Sequence, residues 1–438
     1  MPRLLIGNDF TEEVEESGVE REVTACWSAQ RVHFLARDGD VLLLPAPPSS
    51  GFVEYVTSLT GVDPRTLRTV IPPGSGAPYE ALTPIRLAAT SLRSELGRLL
   101  AERSVDEVVM LYPDPVVAEL AADLGVGVSV AGGDFIRQGG GALVNSKAAF
   151  RALAAGAGVP VADGAVCSTP EAAGNEALRL FASGHPVMTK HEFRQASKGN
   201  EILTQKEGIM SRGAPKTLVL PDAPSVEEHF AREWNRLTTG GRHRLVVERY
   251  HPDSASVFAE FLLSDSCVEL TGEGELLYAP SPVGQVLPIR TLDSSIRDRL
   301  VSDARRMSDL LRGIGYRGFV SMDAIITPEG RTLFTEANGR VTGSTHIYAS
   351  VGRRIVGDAY PGHRTLMEVV GLRVPSVTGA VALLRDHHLH YDPGSRTGVV
   401  IANDVHPVDR DVTYCVVAED VERAQEIRER VTHLFAAW

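Results

Sequence analysis

The segment GFVSMDAIITPEGRTLFTEANGR, residues 318–340, has the pattern of a β-hairpin. Two runs rich in β-branched and aromatic residues flank the turn-forming residues 328–330. Asp323 lies on the first predicted strand. Glu336 and Asn338 lie two residues apart on the second strand, and hence on one face of it. The hairpin therefore carries three side chains whose oxygens could bind a metal ion.

The length of the turn determines whether these side chains meet. If Glu329 and Gly330 form the centre of an even-numbered turn, Asp323 lies directly opposite Glu336 on the same face. Two carboxylates at that distance repel each other unless a cation or a shared proton compensates, and magnesium is then the expected ion. A three-residue turn would place them on opposite faces, and the hairpin would be an ordinary solvated edge. The pattern leaves both interpretations open.

Residues 1–142 predict a separate α/β domain. Short apolar runs such as LLIG and EVVML alternate with helix-like stretches, which is the pattern of a parallel sheet flanked by helices. A glycine-rich segment, residues 132–141, ends this domain. It lacks the Gly-Lys-Ser/Thr sequence of a phosphate-binding P-loop, so we interpret it as a flexible connection.

Residues 143–250 predict a small α+β domain with two lysines that need an explanation. Asn145 is the expected N-cap of a helix whose first turn contains Lys147, where a cation opposes the helix dipole. Lys190 lies in the apolar strand HPVMTKHEF, where a buried ammonium group would be costly, and the small turn Ser197-Lys198-Gly199 follows. A phosphate chain would satisfy both Lys190 and this turn, and the alternatives are an exposed strand end and an ordinary hairpin. For Lys147 the alternatives are a solvated helix start, which the sequence alone favours, and an anionic partner.

Residues 251–438 predict a third domain that contains the hairpin. Around it we expect the strand ASVFAEFLL, an amphipathic helix from about Ser294 to Arg312, a helix near TLMEVVG, two further strands and a charged C-terminal helix. Arg340 closely follows the three oxygen ligands. An arginine beside a magnesium site can stabilise a transferring phosphoryl group or the oxyanion of an acyl transfer.

The order of these signals resembles that of the ATP-grasp carboxylate-amine ligases. The signals, over residues 130–350, are Asn-Ser-Lys at a helix start, Thr-Lys on a strand, a Ser/Gly turn, Val-Val-Glu-Arg-Tyr and the Asp…Glu-x-Asn-x-Arg hairpin. Within these ligases the chain is most similar to the pheganomycin-type peptide ligases of actinomycetes. The resemblance implies an α/β protein of the ATP-grasp fold, with an N-terminal α/β domain, a central α+β lid domain and a C-terminal catalytic domain.

The resemblance also implies a role for each matching residue. Two lysines would reach the phosphates of ATP, residues 196–200 would close over them, and the segment after the lid would hold adenine and ribose. The matching ATP-binding positions are Lys147, Lys190, Ser197, Lys198, Gly199, Glu248, Arg249, Tyr250 and Asp253. Asp323, Glu336 and Asn338 match the magnesium ligands. Arg340, with Arg290 of the run VLPIR, matches the cations near the transferring phosphate.

The chemistry implied by the family is ligation through an acyl phosphate. ATP converts a carboxylate to an acyl phosphate, an amine attacks it, and ADP and phosphate are released. For the pheganomycin type, the acid is an amino-acid-like compound with a guanidino group, the amine is the N-terminus of a peptide, and the product belongs to antibiotic biosynthesis. A catalytically silent nucleotide-binding regulator and a kinase or carboxylase on the same fold are the alternatives. The intact set of candidate site residues favours a ligase over a silent relative.

Composition argues against several other classes of protein. The chain has 438 residues, too many for one small module, and 44 Lys and Arg against 56 Asp and Glu give a net charge of −12. With no long basic run, binding to nucleic acid is not expected. Four scattered cysteines argue against a disulfide framework or a zinc cluster. No stretch approaches the roughly 18 apolar residues of a membrane helix, and residues 1–3 lead directly into a strand-like run. We therefore expect a soluble cytoplasmic protein that does not bind membranes and whose C-terminal helix could serve in homodimer contacts.

Overall fold

The chain forms three β-sheets with helices packed against them. The computed structural model describes residues 1–12, 18–49, 51–77 and 79–438. Successive sheets contain four, five and eight strands, and each sheet is formed by a contiguous part of the sequence. Within the described ranges, no helix is long and apolar enough to cross a membrane.

The N-terminal sheet is parallel, as the alternation of apolar runs and helical stretches predicts. Its strands are β1 (Arg3–Ile6), β2 (Val41–Leu43), β3 (Arg68–Val70) and β4 (Glu107–Met110), in the order β3-β2-β1-β4. Its helices are α1 (Val19–Ser28), α2 (Phe52–Thr60), α3 (Pro84–Leu87), α4 (Thr90–Glu102), α5 (Pro115–Asp123), α6 (Gly133–Phe135) and α7 (Gly141–Asn145). Shorter helical turns cover Ala29–Leu35, Pro64–Thr66, Gly127–Ser129 and Ile136–Gly140. Fully buried Leu and Ile side chains of β1 pack against leucines of α4 and form the core.

The central sheet carries the segments that hold the two candidate lysines. Its strands are β5 (Gly164–Cys167), β6 (Val187–His191), β7 (Asn200–Thr204), β8 (Thr217–Val219) and β9 (Leu245–Arg249), in the order β5-β9-β6-β7-β8. Its helices are α8 (Lys147–Gly156), α9 (Pro170–Ala182) and α10 (Ala223–Thr238). The helices α9 and α10 bury one face of the sheet, so the strand ends of β6 and β9 are left to line a cleft.

The C-terminal sheet is the largest. Its strands are β10 (Ala255–Leu263), β11 (Val268–Tyr278), β12 (Pro282–Leu287), β13 (Gly318–Ile326), β14 (Thr332–Asn338), β15 (Thr365–Arg373), β16 (Gly398–Ile401) and β17 (Asp411–Ala418). They follow the antiparallel order β14-β13-β10-β11-β12-β15-β17-β16. The helices are α11 (Ser294–Gly313), α12 (Val377–Asp386) and α13 (Val421–Leu434), with helical turns at Ile347–Val356 and Tyr360–Gly362. The apolar face of α13 packs within the chain, through Ala424, Ile427 and Val431.

Two local expectations are wrong. The segment TLMEVVG is not a helix but lies in β15, paired with β12 on one side and β17 on the other. Asn145 does not cap α8. It is the last residue of α7, and the side chain of Ser146 accepts the capping hydrogen bond from the backbone N–H of Ala149.

The glycine-rich segment before α8 serves chain packing. Gly139 has a φ of 81°, which favours glycine. A Cβ on Gly141 would lie 1.9 Å from the carbonyl oxygen of Pro113, so only glycine allows this approach. The predicted flexible connection is wrong, because the segment is helical over Gly133–Phe135, Ile136–Gly140 and Gly141–Asn145. None of its glycines lines the main cavity.

Candidate active site

A cavity of about 380 Å³ lies between the central and C-terminal sheets. It brings together most of the predicted site residues. Those that line it are Lys147, Lys190, Ser197, Glu248, Arg249, Tyr250, Asp323, Glu336, Asn338 and Arg340.

The hairpin places Asp323 directly opposite Glu336, but not by the expected turn. Near the turn the register pairs Ile326 with Thr332, which corresponds to an odd-numbered loop. A β-bulge then shifts the register, so that Asp323 pairs with Glu336 and Ser321 with Asn338. The three candidate ligands therefore share one face because of the bulge.

The two carboxylates of the hairpin are held by short polar contacts. Ser321 Oγ donates to Asp323 Oδ1 at 2.8 Å, and Asn338 Nδ2 donates to Asp323 Oδ2 at 3.0 Å and to Glu336 Oε1 at 3.3 Å. Burial, followed by the charge of Glu336, raises the pKa of Asp323 to about 8. The two carboxylates therefore repel each other, and a cation between them would remove that repulsion.

The donor set fits magnesium. Two carboxylates and an amide are hard oxygen ligands of the kind that Mg²⁺ binds, once the Asn338 amide turns its oxygen to the ion. Within the described residues, no group of three or more His, Cys, Asp or Glu could hold a metal ion. A third protein ligand at this site would therefore be Asn338.

Lys147 meets the hairpin from the start of α8. Its Nζ lies 2.8 Å from Glu336 Oε2 and donates to the carbonyl oxygen of Arg194 at 3.0 Å. Burial favours the neutral form of Glu336, but the charge and hydrogen bond of Lys147, together with the charges of Lys190 and Arg340, outweigh it and lower the pKa of Glu336 to about 2. Lys147 is buried and paired, which excludes the alternative of a solvated helix start.

Lys190 is buried in β6 and paired with a carboxylate. Its Nζ lies 2.6 Å from Glu248 Oε1 on the neighbouring strand β9. Arg151, one turn after Lys147 on α8, approaches the other oxygen of Glu248 at 2.5 Å. Two buried cations therefore share one carboxylate at the edge of the cavity, which leaves positive charge for an anionic ligand.

Arg340 is positioned by Asn145, whose role the sequence did not reveal. Arg340 Nη1 donates to Asn145 Oδ1 at 2.6 Å, while Asn145 Nδ2 donates to the carbonyl oxygens of Gly141 and Gly339. A Cβ on Gly339 would lie 2.5 Å from Val144, so this glycine allows α7 to reach the hairpin. The approach of α7 thus fixes one arm of the guanidinium group.

The chain after Arg340 is anchored by a fully buried carboxylate. Glu260, on β10, accepts hydrogen bonds from Thr342 Oγ1 at 2.7 Å, Thr345 Oγ1 at 2.5 Å and the Tyr348 hydroxyl at 2.6 Å. Burial raises the pKa of Glu260. The backbone that follows Arg340 is therefore held at several points, and no motif in the sequence predicted this.

The loop between β6 and β7 covers one side of the cavity. Ala196 and Ser197 both have positive φ values, 50° and 62°. Ser197 lines the cavity, whereas Lys198 is exposed and its Nζ lies 2.9 Å from Glu20 of α1. Gly199 packs against His191, where a Cβ would lie 2.6 Å from the Cβ of that residue.

Arg290 and Asp253 do not reach the cavity. The guanidinium group of Arg290 donates to the carbonyl oxygens of Pro361 and Arg364, so it is turned away from the proposed phosphate site. Asp253 is exposed, has a φ of 61° and does not line the cavity. Both assignments came from chain order, which does not report the direction of a side chain.

The cavity is also lined by two arginines that the sequence analysis did not single out. Arg194 precedes the β6–β7 loop and Arg212 precedes β8. Among the described residues, neither forms an ion pair with a carboxylate. Arg249 is also without such a partner, and its buried Nε has no hydrogen-bond acceptor in the described part of the chain. Only the position of Arg194 next to the predicted turn could have suggested it.

Comparisons with known proteins agree with this architecture. Residues 29–126 match the family described as the Pre ATP-grasp domain, and residues 379–431 match the family described as the PGM1 C-terminal domain. No curated protein gives a significant sequence match to the chain.

Solved structures match nearly the whole chain. A biotin carboxylase–β,γ-ATP complex from Campylobacter jejuni has 13% identity and a TM-score of 0.57, covering 96% of this chain and 88% of that one. The biotin carboxylase domain dimer of the Hydrogenobacter thermophilus 2-oxoglutarate carboxylase, with MgADP, ADP and bicarbonate, has 15% identity and a TM-score of 0.57, covering 98% and 89%. An Aspergillus clavatus N5-carboxyaminoimidazole synthase, with ADP and 5-aminoimidazole ribonucleotide, has 12% identity and a TM-score of 0.56, covering 100% and 99%. The chain has the ATP-grasp fold, and the predicted fold class is confirmed.

Proposed function

We propose that this protein is an ATP-dependent carboxylate-amine ligase that forms an acyl phosphate and releases ADP and phosphate. The observation that supports it most is the convergence, in one cavity, of paired carboxylates with lysines and an arginine that face them. Phosphoryl transfer needs this combination, since the charge on the phosphates must be neutralised while the reacting oxygens are held in line.

ATP would bind between the central and C-terminal sheets. Lys147, Lys190 and Arg194 supply positive charge for the phosphates, and residues 196–200 would cover them. Segment 248–250 would hold the adenine, as in the resemblance described above. The three solved structures with the same fold contain ATP analogues or ADP, which supports a nucleotide in this cleft.

Magnesium would be held by Asp323, Glu336 and Asn338. Bound there, it would neutralise phosphate oxygens and lower the barrier to transfer. The surrounding residues prepare the site, because Ser321 orients the Asp323 carboxylate and Lys147 keeps Glu336 ionised.

Arg340 would contact the transferring group. Its planar guanidinium can donate two parallel hydrogen bonds to phosphoryl or oxyanion oxygens, and Asn145 holds it in orientation. In the reaction, a carboxylate oxygen of the acid attacks the terminal phosphorus and ADP leaves. An amine nitrogen then attacks the acyl carbon, and phosphate leaves with the transferred oxygen.

The substrate assignment extends the proposal. The acid would be an amino-acid-like compound with a guanidino group, and the amine would be the N-terminus of a peptide, as part of antibiotic biosynthesis. A cytoplasmic location would supply ATP and keep the four free cysteines reduced. A homodimer formed through the exposed face of α13 belongs to the same proposal.

A carboxylase is the second candidate, because two of the matched structures are biotin carboxylases and one contains bicarbonate. The test incubates the protein with ATP, magnesium and a panel of acids, with and without short peptides, and in parallel with bicarbonate. We expect ADP release that requires an acid, and a coupled acid–peptide mass by mass spectrometry. ADP release that requires bicarbonate but no organic acid would contradict the ligase and support a carboxylase.

A further inference from the structure

Among the described residues, four carboxylates line the main cavity, and three of them already have a partner or a proposed role. Glu248 is paired with Lys190 and Arg151, Glu336 is paired with Lys147, and Asp323 belongs to the proposed metal site. The fourth is Glu368, on β15. In the described part of the chain, no lysine, arginine or histidine forms an ion pair with it.

Glu368 is held in place by neutral groups. It lies directly opposite Gln285 of β12, whose Nε2 donates to Glu368 Oε2. The amide oxygen of Gln285 in turn accepts a hydrogen bond from Ser344 Oγ at 2.6 Å. Since Ser344 follows Arg340 by four residues, the carboxylate is tied to the same loop as the proposed catalytic arginine.

The Glu368 carboxylate is buried, and only one of its oxygens accepts a hydrogen bond from a described residue. Glu368 is 8% exposed and Gln285 is 3% exposed. One carboxylate oxygen accepts from Gln285, whereas no donor among the described residues reaches the other. A buried anion without an ion-pair partner is costly. Burial outweighs the hydrogen bond from Gln285 and the charge of Arg31, and raises the pKa of Glu368 to about 7. A positively charged ligand would remove that cost.

The surroundings of Glu368 favour a cation on an apolar stem. Phe258, Leu276 and Val370 line the same cavity. The cationic residues of the cavity lie with the proposed ATP and metal ligands, and they would repel a second positive charge there. The charge pattern therefore assigns anions to one part of the cavity and a cation to Glu368.

We propose that Glu368, oriented by Gln285, binds the protonated nitrogen group, ammonium or guanidinium, of the carboxylic acid that the enzyme activates. The proposal rests on the proposed ligase function and defines the substrate class of that site. The acid would be zwitterionic, with its carboxylate toward Arg340 and its cationic group on Glu368.

The test measures binding by calorimetry at saturating MgADP and pH 8. The probes are 4-guanidinobutanoate, 4-aminobutanoate and the uncharged-tail acid hexanoate. We expect the wild-type protein to bind at least one cationic probe about tenfold more tightly than hexanoate, and the comparison of the two cationic probes distinguishes guanidinium from ammonium. In Glu368→Gln this preference should fall below about twofold. Glu269→Gln, an exposed position on the same sheet, is the matched control and should behave as wild type.

The proposal would be overturned if Glu368→Gln retained the cation preference. It would also be overturned if the wild-type protein showed no such preference or bound neither cationic probe. If Glu368→Gln does not fold, Gln285→Ala serves as the second variant, because Gln285 is the only donor to this carboxylate among the described residues. It should reduce the preference about threefold, and an unchanged preference would overturn the proposal.

Acid-dependent ADP release is measured separately. Glu368-dependent binding without ADP release would refute the ligase and leave the cation site standing. ADP release with no charge preference among the acids would refute the cation site and leave the ligase standing.

Discussion

Glu336 links the hairpin to Lys147. It pairs across the strands with Asp323 and lies 2.8 Å from Lys147. Replacing Glu336 by Ala removes a proposed metal ligand and leaves Lys147 without its carboxylate, so ADP formation should fall by more than about 100-fold. The assay is ADP release over a magnesium titration, with circular dichroism as the fold check.

The matched control for this variant is Glu329→Ala, which changes an exposed glutamate at the turn of the same hairpin. It should retain wild-type ADP release. A Glu336→Ala protein that regains normal turnover in excess magnesium would show that this side chain is not a required ligand.

Arg340 should act through its shape as well as its charge. Arg340→Lys keeps the charge but loses the planar fork, so turnover should fall about 100-fold while the KM for ATP changes little. Steady-state kinetics with varied ATP separates the two effects. Equal turnover in the lysine variant would reduce Arg340 to a background charge.

A substitution of Asn145 tests whether the orientation of Arg340 matters. Because it acts by orienting Arg340, Asn145→Ala should lower kcat about tenfold in the wild-type background and cause little further loss in the Arg340→Lys background. Full additivity of the two losses would mean that Asn145 does not act through Arg340.

At the scale of elements, the β6–β7 loop is the segment that nucleotide binding should change most. Its own hydrogen bonds are few, and the contact of Lys198 with Glu20 is exposed at both ends. Hydrogen exchange at residues 196–200 should slow severalfold when MgADP is added. The turn at residues 239–242, which connects α10 to β9 and does not line the cavity, is the internal control. Equal exchange at 196–200 with and without nucleotide would contradict a closing loop.

The central sheet contains a charge cluster that should make its stability depend on pH. Although burial favours the neutral form, the contact with His229, followed by Lys216 and Arg236, holds the pKa of Glu201 at about 2. A depressed pKa in the folded state stabilises the protein above the ordinary value of about 4.3, and this contribution is lost as the pH falls toward about 2.

Glu201→Gln should therefore lower the free energy of unfolding by about 2 kcal/mol at pH 7 and by clearly less at pH 3.5. Urea titrations at the two pH values measure the difference. Glu207→Gln, at an exposed position nearby, is the control and should have little effect at either pH. A loss for Glu201→Gln that is the same at both pH values would exclude an electrostatic origin.

Some elements could be predicted from the sequence because local pattern and tertiary structure agree. The parallel sheet, α11 and the hairpin follow from the spacing of apolar residues. The segment TLMEVVG contains good helix formers, but pairing with β12 and β17 makes it a strand, and no local pattern reports that pairing. The bulge that aligns Asp323 with Glu336 is also set by the neighbouring strand and was not predictable.

The site could be predicted only in part, for a related reason. Motif order singled out the lysines and the hairpin residues that the structure brings together in one cavity, although the alignment of Asp323 with Glu336 depends on the bulge. Arg290 lies just beyond β12, where the chain turns and its guanidinium binds backbone carbonyls instead. Asn145 and Glu368 depend on contacts between distant segments, so one sequence carries no signal for either.

At the scale of the whole molecule, the N-terminal part of the chain contacts the segment that follows Arg340. The backbone N–H of Val341 donates to the carbonyl oxygen of Leu111 at 2.9 Å, and Arg31 Nη2 donates to the carbonyl oxygen of Val341 at 3.2 Å. Both contacts lie next to Arg340. Helix α8 and the central sheet supply Lys147, Lys190 and Glu248, and the C-terminal sheet supplies the other carboxylates. The N-terminal part of the chain holds the backbone next to Arg340.

The most direct test of the proposed chemistry follows one oxygen atom. An acid that releases ADP in the screen is prepared with ¹⁸O in its carboxylate and incubated with ATP, magnesium and a peptide acceptor. If the carboxylate attacks the terminal phosphorus, mass spectrometry should find one ¹⁸O in the released phosphate, with ADP as the other product. Unlabelled phosphate, or AMP and pyrophosphate in place of ADP and phosphate, would contradict the acyl-phosphate ligase.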